Sequence, residues 1–224
     1  MIKPKFVLRC LEAIFDRPTM AFYIEAFGRI DVLVNNAREQ HVCERLEDLP
    51  DGQLERTFRT NVFGQFYLTR AALPHMSAGS AIINSASMTA YQGNPSMVDY
   101  ASTKGVVVAF TRSLSKQLFR RGIRVNGVAP GPIWTPLIPA GYSEKQTAEH
   151  CSKAAMERPE QPDEVAPCYI FLASGDASFM SGQMRHPAFH ASSSMGRPAA
   201  EAARARARTA LARLPRPGGQ RCQA

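Results

Sequence analysis

The chain has 224 residues, 45% of them hydrophobic and 21% charged, which suits one globular domain and excludes a largely disordered protein. Its longest apolar runs, such as 106–110, are far shorter than the roughly 18 residues that a membrane span needs. The net charge of +8 is concentrated in residues 188–224, which hold seven arginines and one acid, so the basic character says nothing about a ligand of the remaining chain.

The N-terminal segment predicts two short helices. Residues 6–15 fit a first helix, which Pro18 would end because proline interrupts the helical hydrogen bonds. Residues 19–28 fit a second helix, with Thr19 as its N-cap and Gly28 as its stop. Arg9 and Glu12 interrupt the apolar run here, so a signal peptide is not expected.

Short apolar segments with β-branched residues follow, typical of strands buried on both faces of a parallel sheet. They cover residues 31–34, 81–85 and 123–129, and a short final strand is expected over 182–186. Helical patterns alternate with them at 51–73, stopped by Pro74, at 97–120, stopped by Gly122, and at 163–173, capped by Asp163. Residues 132–162 fit a loop with one short helix. The alternation predicts an α/β fold, a partial Rossmann-like doubly wound parallel sheet.

Residues 188–224 differ from the domain formed by 1–187. They are rich in Arg, Ala and Pro with almost no apolar periodicity, so we expect them to pack poorly, with at most an exposed helix over 199–214. The abrupt change is typical of a shifted reading frame or a degraded gene end. An anion-binding or nucleic-acid-binding tail is the less favoured alternative, because no recognition motif accompanies the arginines.

The five cysteines are scattered and form no CxxC pair. A disulfide framework and a zinc site are therefore not expected. The same pattern favours a reducing, cytoplasmic location. His186 and His190 have a spacing found in metal sites, but Pro187 lies between them and no third ligand is near. We expect no metal site.

A candidate acid/base pair lies in the helix predicted over 97–120. Tyr100 and Lys104 are four positions apart, so their side chains share one face of that helix. An ammonium stabilises a nearby phenolate, and such a pair can exchange a proton with a ligand. Ser87 follows the predicted strand 81–85, at the sheet edge where ligands bind in α/β folds. Each residue alone would fit an ordinary surface or loop position.

Together these residues resemble the motifs of the short-chain dehydrogenase/reductase family. The matching segments are Asn35-Asn36-Ala37, Asn61, Ser87, Tyr100-x-x-x-Lys104 and Asn126-Gly127-Val128-Ala129-Pro130-Gly131-Pro132. The segment 130–139, PGPIWTPLIP, resembles a bacterial subgroup of general sugar- or alcohol-type oxidoreductases, and the resemblance runs over about 25–187. It implies an NAD(P)-dependent enzyme that interconverts an alcohol or sugar hydroxyl and a carbonyl.

The resemblance also implies catalytic roles. Tyr100 would be the acid/base that exchanges a proton with the substrate oxygen, and Ser87 would orient that oxygen. Lys104 would favour loss of the tyrosine proton and hydrogen-bond the nicotinamide ribose. Asn61, a polar residue on an otherwise apolar helix face, would hold a water that links Lys104 to solvent.

Further residues would bind NAD or NADP besides Tyr100 and Lys104. They are Asn36 and Ala37 on the adenosine side, and Pro130, Gly131, Ile133 and Thr135 at the nicotinamide and its carboxamide. The implied partners are a small alcohol or carbonyl substrate and further copies of the chain in a homo-oligomer. A membrane partner is not expected, and a nucleic-acid partner is disfavoured.

The chain departs from the family pattern in three places. The family opens with a strand and a TGxxxGxG turn, whereas Gly28 is the only glycine among the first 29 residues here. The first strands therefore look absent, strand 31–34 would be an exposed edge, and dinucleotide binding is expected to be weakened. Arg38 stands where the family has glycine, and the C-terminal family pattern is lost at residue 188. The alternative function is a cofactor-incompetent remnant without turnover.

Overall fold

A computed structural model describes residues 7–8, 17–136 and 158–187 of the chain. Five parallel strands form one sheet in the order of the chain. These are β1 (Val7–Leu8), β2 (Val32–Asn35), β3 (Ala81–Ser85), β4 (Arg124–Val128) and β5 (Met184–Arg185). The four strands predicted from the sequence are confirmed. None of the described helices is both long and apolar enough to cross a membrane.

Helices connect the strands. They are α1 (Arg17–Phe27), α2 (Asp51–Phe58), α3 (Gly64–Ala72), α4 (Thr89–Gln92), α5 (Val98–Leu118) and α6 (Pro162–Ala173). A π-helical turn, Arg59–Phe63, joins α2 to α3, so the helix predicted over 51–73 is one helical segment with an extra residue in the middle. Gly122 has a φ of 67° after α5, which confirms it as the stop of that helix.

The two faces of the sheet bury different helices. Leu33 pairs in register with Ile82, and Ile82 with Val125, so the three side chains form one apolar row. This row packs with residues of α3 and α5. On the opposite face, Val32 and Ile83 pack with Val165 and Leu172 of α6. Helices on both faces confirm the doubly wound α/β class.

The N-terminus differs from the sequence-based expectation. Val7 and Leu8, which we placed in a short helix, form β1 and pair in parallel with Val32 and Leu33. Both residues are apolar and Val7 is β-branched, which favours a strand once β2 offers free backbone groups. The expectation that strand 31–34 would be an exposed edge is therefore wrong over the paired part of β2.

Two predicted helix boundaries are also wrong. Helix α1 begins at Arg17, so Thr19 lies inside it rather than at its N-cap, and Pro18 occupies its first turn, where its missing N–H costs nothing. Helix α6 has Gln161 as its N-cap, not Asp163, because the Glu164 carboxylate accepts a 2.8 Å hydrogen bond from the Gln161 N–H. Gly28, with φ 78°, does follow α1 as predicted.

The sequence-based expectations for the tail and for the short helix within 132–162 fall largely outside the described residues. The tail 188–224 lies wholly outside them. Within the described part of the loop, residue 133 forms a parallel bridge with residue 160, which draws the two ends of the loop together.

Substituting Gly127 by alanine should destabilise the fold. A Cβ at this position would lie 2.5 Å from both Sδ and Cε of Met184 and 3.0 Å from the carbonyl oxygen of Asn84. Because strands β4 and β5 must move or Met184 must change rotamer, we expect a loss of about 1–3 kcal/mol in the free energy of unfolding. Gly52→Ala is the matched control, since open space surrounds Gly52 in α2. Urea unfolding of both variants measures the difference, and equal stabilities would contradict this packing.

Candidate active site

Side chains from three other segments converge on Ser85, the last residue of β3. The Ser85 hydroxyl donates a 2.7 Å hydrogen bond to Oδ1 of Asn36, which follows β2. Since that bond uses the only hydroxyl proton of Ser85, the Tyr169 hydroxyl of α6 is the donor in their 2.7 Å contact. Nζ of Lys104 donates a 2.8 Å bond to the Ser85 carbonyl. The carboxyl end of β3 thus organises the polar cleft.

Lys104 is fully buried in helix α5. Its ammonium lies 5.5 Å from the ring centroid of Tyr100, as expected for residues one helical turn apart. Burial, and to a lesser extent the positive charge of Arg38, lowers the pKa of Lys104 to about 7. A lysine that changes charge near neutral pH beside a tyrosine can take part in proton transfer.

Tyr100 is held in the first turn of α5 and is only 3% exposed. The carboxylate of Asp99 accepts a 2.7 Å bond from the Tyr100 N–H and a 3.0 Å bond from the Thr57 hydroxyl of α2. This buried acid therefore fixes the start of α5 against α2, and with it the position of Tyr100. The sequence analysis did not select Asp99. Its place in the first turn of a predicted helix, where negative charge is favoured, was the available signal.

Ser87 lies where strands β3 and β4 end. The neighbouring N–H groups of Ala86 and Met88 donate to the carbonyls of Val128 (2.8 Å) and Pro130 (3.0 Å). The Ser87 hydroxyl is nearly buried and accepts a 3.2 Å bond from the N–H of Thr89. Ser87 is thus beside Pro130 at the same sheet edge as Ser85. A position of its hydroxyl opposite that of Tyr100 remains a prediction.

Asn61 lies in the π-helical turn and is fully buried. Its Oδ1 accepts from the N–H of Glu39 at 2.8 Å, and its Nδ2 donates to the Glu39 carbonyl at 2.8 Å and to the Thr103 hydroxyl at 3.1 Å. The amide therefore joins the segment after β2 to α5, next to Lys104. Because its side-chain groups already have protein partners, the structure shows Asn61 as a positioning residue. The water-holding role stays a prediction.

Glu39 is a second residue that the sequence analysis missed. Its carboxylate contacts Arg56, His41 and Thr60, in addition to the backbone bonds with Asn61. Burial raises the pKa of this carboxyl, but the hydrogen bonds from Arg56 and His41 outweigh it, and the net pKa is below the ordinary value. Glu39 is therefore ionised at neutral pH and anchors the segment that carries Asn36 and Arg38. A charged residue in a predicted loop gave no distinctive signal.

The predicted nicotinamide-side residues form the segment after β4. Pro130 and Ile133 are buried, Gly131 is partly buried, and the backbone of Trp134 donates to Glu160 at 2.8 Å. The hydroxyl of Thr135 is buried and has no hydrogen-bond partner among the described residues. Buried polar atoms are normally satisfied, so this hydroxyl fits the role of contacting a ligand amide.

The predicted adenosine-side residues lie at the end of β2. Asn36 is committed to Ser85, and Ala37 packs against the apolar cluster around Leu33. Among the predicted cofactor contacts, the segment after β4 thus holds one residue that fits a ligand contact, Thr135. The sequence between β1 and Gly28 contains no glycine, so it offers no glycine-rich turn.

Substituting Asn61 should destabilise the site locally. Asn61→Asp keeps the acceptor for the Glu39 N–H but cannot donate to the Glu39 carbonyl or to Thr103. Asn61→Ala loses all three bonds and leaves buried backbone groups unpaired, so we expect its free energy of unfolding to fall by about 2–4 kcal/mol. For Asn61→Asp we expect a loss of stability that depends on pH. Chemical unfolding measures both. An alanine variant as stable as the native chain would show that the hydrogen bonds of Asn61 to Glu39 and Thr103 do not stabilise the fold.

A buried tyrosine and lysine thus lie one helical turn apart beside the carboxyl ends of parallel strands, where ligands bind in α/β folds. The profile of a family described as "Enoyl-(Acyl carrier protein) reductase" matches residues 17–186. The crystal structure of a short-chain dehydrogenase/reductase, glucose/ribitol dehydrogenase from Brucella melitensis, superposes with a TM-score of 0.66 at 35% identity, covering 75% of this chain and 67% of that one. The chain belongs to the short-chain dehydrogenase/reductase family.

Relatives with higher identity extend beyond the length of this chain. Glucose and ribitol dehydrogenase of Daucus carota is 55% identical over 164 residues, 73% of this chain and 56% of that protein. NADPH-dependent aldehyde reductase 1 of Arabidopsis thaliana is 56% identical over 165 residues, 73% of this chain and 57% of that protein. The chain thus spans somewhat more than half the length of these relatives. A 3-ketoacyl-(acyl-carrier-protein) reductase from Brucella melitensis, solved with NADH, superposes with a TM-score of 0.70 at 30% identity, covering 79% of this chain and 72% of that one.

Proposed function

We propose that the protein is an NAD(P)-dependent oxidoreductase that interconverts an alcohol or sugar hydroxyl and a carbonyl. The observation that carries the proposal is the buried Lys104 ammonium, 5.5 Å from the Tyr100 ring and bonded to the end of β3. The names of the relatives, which include dehydrogenases and an aldehyde reductase, favour an enzyme over a cofactor-incompetent remnant.

In the proposed reaction, the chain's own residues position the substrate and move one proton. The Tyr100 hydroxyl gives its proton to the carbonyl oxygen during reduction and takes it back during oxidation, while Ser87 donates a hydrogen bond to the same oxygen. Lys104 assists through its charge, and Asn61 and Asp99 hold α5 in place. The nicotinamide, when bound, supplies or accepts the hydride.

The substrate class is tested with a panel of aldoses, polyols and short aliphatic aldehydes, each with NADH or NADPH, or with the oxidised forms for alcohols. We expect slow conversion that depends on the cofactor and is greatest for a polyol, an aldose or a simple aldehyde. Conversion of none of these compounds at high enzyme concentration would reject the proposal.

We propose that dinucleotide binding is weak in this chain. In the family pattern, a glycine-rich turn and a helix N-terminus meet the pyrophosphate charge, and the chain lacks that turn. Charge-assisted hydrogen bonds contribute about 1.5–3 kcal/mol each, so the loss of two or three weakens binding on the order of a thousandfold. Titration with NADH and NADPH, followed by fluorescence, measures this. Micromolar affinity for either cofactor would show that other residues bind the pyrophosphate.

We also propose that copies of the chain associate with one another. Phe63, Phe66 and Tyr67 each expose nearly half of their surface on adjacent turns. An exposed aromatic cluster of this kind marks an interaction surface. Sedimentation at several concentrations tests the association, and a purely monomeric chain would contradict it.

We further propose that the protein works in a reducing compartment such as the cytoplasm, because its five cysteines are scattered and form no CxxC pair.

A further inference from the structure

The helical segment between α2 and α3 contains one turn that lacks regular α-helical geometry. In the turn Arg59–Phe63, the N–H of Gly64 donates to the carbonyl of Arg59, five residues back instead of four. Asn61 lies in the middle of this turn and is fully buried. Turns of this kind are rare and often lie at functional sites, so we expect contacts from outside the helix to hold it in place.

The register of the turn determines the direction of the Asn61 side chain. Successive residues of a helix point about 100° apart, so a shift of one residue in register would turn Asn61 away from its partners. In the structure, its amide donates to the Thr103 hydroxyl at 3.1 Å, and that hydroxyl donates to the Tyr100 carbonyl at 2.6 Å. Two hydrogen bonds thus connect the π-helical turn to the first turn of α5, which carries Tyr100.

Glu39, in the segment after β2, contacts this turn with both its backbone and its carboxylate. The N–H and the carbonyl of Glu39 each bond to the Asn61 amide at 2.8 Å. One carboxylate oxygen forms an ion pair with Arg56 of α2, and the other accepts a 3.2 Å bond from the Thr60 hydroxyl. The Glu39 side chain is only 15% exposed, so water screens these bonds less than those of a surface pair. The carboxylate therefore joins the helix before the turn to a residue inside it.

His41 provides a further contact to the same carboxylate. Its Nε2 lies 2.6 Å from the oxygen that pairs with Arg56. Since an ionised carboxylate only accepts hydrogen bonds, Nε2 carries the proton in this contact. Both oxygens of Glu39 thus have donors, which fixes the orientation of the carboxylate against the turn.

We propose that the carboxylate of Glu39 is a positioning group for the reaction. It holds the π-helical turn in the register that directs Asn61 at Thr103, and Thr103 in turn fixes the start of α5. The Tyr100 hydroxyl is thereby kept in place for proton transfer. This role rests on the proposed function, whereas the effect of Glu39 on the turn does not depend on turnover.

Hydrogen exchange followed by NMR tests the effect on the turn, with Glu39→Ala as the variant and Glu47→Ala as the matched control. Glu47 is an exposed acid that also pairs with an arginine, Arg45. In Glu39→Ala we expect the amide of Gly64 to exchange at least about tenfold faster, because charge-assisted hydrogen bonds are lost, while the amides of β3 keep their native rates. Glu47→Ala should match the native chain. A native rate at Gly64 in Glu39→Ala, or an equal increase in β3, would overturn the proposal.

The effect on Tyr100 is read from its ring signal in a chain with 13C-labelled tyrosine, where Tyr100→Phe identifies the signal by its loss. We expect the signal to shift or broaden in Glu39→Ala. Glu39→Gln, which keeps a carbonyl acceptor for Arg56 and Thr60 but not the charge, should give an intermediate signal. An unchanged Tyr100 signal in Glu39→Ala would overturn the positioning role.

Aldehyde reduction supplies the functional measurement. Glu39→Ala should lose about tenfold to a hundredfold in rate, chiefly in kcat rather than in KM, and Glu39→Gln should recover part of the loss. A native kcat in Glu39→Ala would overturn the positioning role. Absence of turnover in the native chain would instead reject the proposed function, and the exchange rates and the Tyr100 signal would still decide what Glu39 does.

Discussion

Above neutral pH, the native chain should gain stability relative to a Lys104→Met variant. Burial lowers the pKa of Lys104 to about 7 in the folded protein, whereas an unfolded lysine keeps its proton up to about 10.5. Between these values the unfolded state binds more protons, so the free energy of unfolding rises with pH. Below pH 7 the lysine is charged in both states, and the cost of burying its charge is fully present.

The expected slope is at most about 1.4 kcal/mol per pH unit for this single group. Tyr91, Tyr169 and Cys168 have raised pKa values, which lower stability in the alkaline range, but they are present in both proteins and cancel in the comparison. Urea unfolding at intervals from about pH 6 to about pH 10 gives the two curves. Lys116→Met, an exposed lysine on the same helix, is the control and should follow the native curve. Parallel curves for the native chain and Lys104→Met would show that Lys104 is not desolvated.

Replacing Tyr100 by phenylalanine should lower the rate of carbonyl reduction by about a hundredfold to ten-thousandfold. The substitution removes only the hydroxyl, so the buried ring and the start of α5, held by Asp99, keep their packing. The proton must then come from water, which is not positioned against the substrate oxygen. We expect the loss chiefly in kcat.

The control for this measurement is Tyr67→Phe. Tyr67 lies on α3 with nearly half of its surface exposed, and its ring contacts Arg70. It should retain the native rate. A Tyr100→Phe variant with the native rate would remove Tyr100 from the reaction, and equal losses in both variants would indicate a general effect of the substitution.

The sheet could be predicted because its strands are short, apolar and separated by clear helical patterns. The strand Ala81–Ser85, for example, is buried at every position and begins with three apolar residues, and Pro and Gly mark the turns. The first strand was missed for a physical reason. Val7 and Leu8 are too few to show a hydrophobic periodicity. Their conformation therefore depends on pairing with the free edge of β2.

For the candidate site, only the spacing of its residues could be predicted from the sequence. Helical geometry places Tyr100 and Lys104 on one face, and the end of a strand places Ser87 at the ligand edge. The partners that hold these residues depend on tertiary contacts between distant segments, as in the Asp99–Thr57 bond and the Asn61–Glu39 bonds. The extra residue of the π turn at Asn61 has no sequence signature either.

The central claim, Tyr100-dependent hydride exchange at this cleft, is tested most directly by isotope transfer. The native chain, Tyr100→Phe and Tyr67→Phe are incubated at high concentration with an aldehyde and with NADH or NADPH deuterated at the transferable position of the nicotinamide. Mass spectrometry then follows deuterium on the new carbinol carbon, which detects turnover even when dinucleotide binding is weak. We predict transfer by the native chain and by Tyr67→Phe, and almost none by Tyr100→Phe. No transfer by the native chain, or equal transfer by all three, would contradict the account.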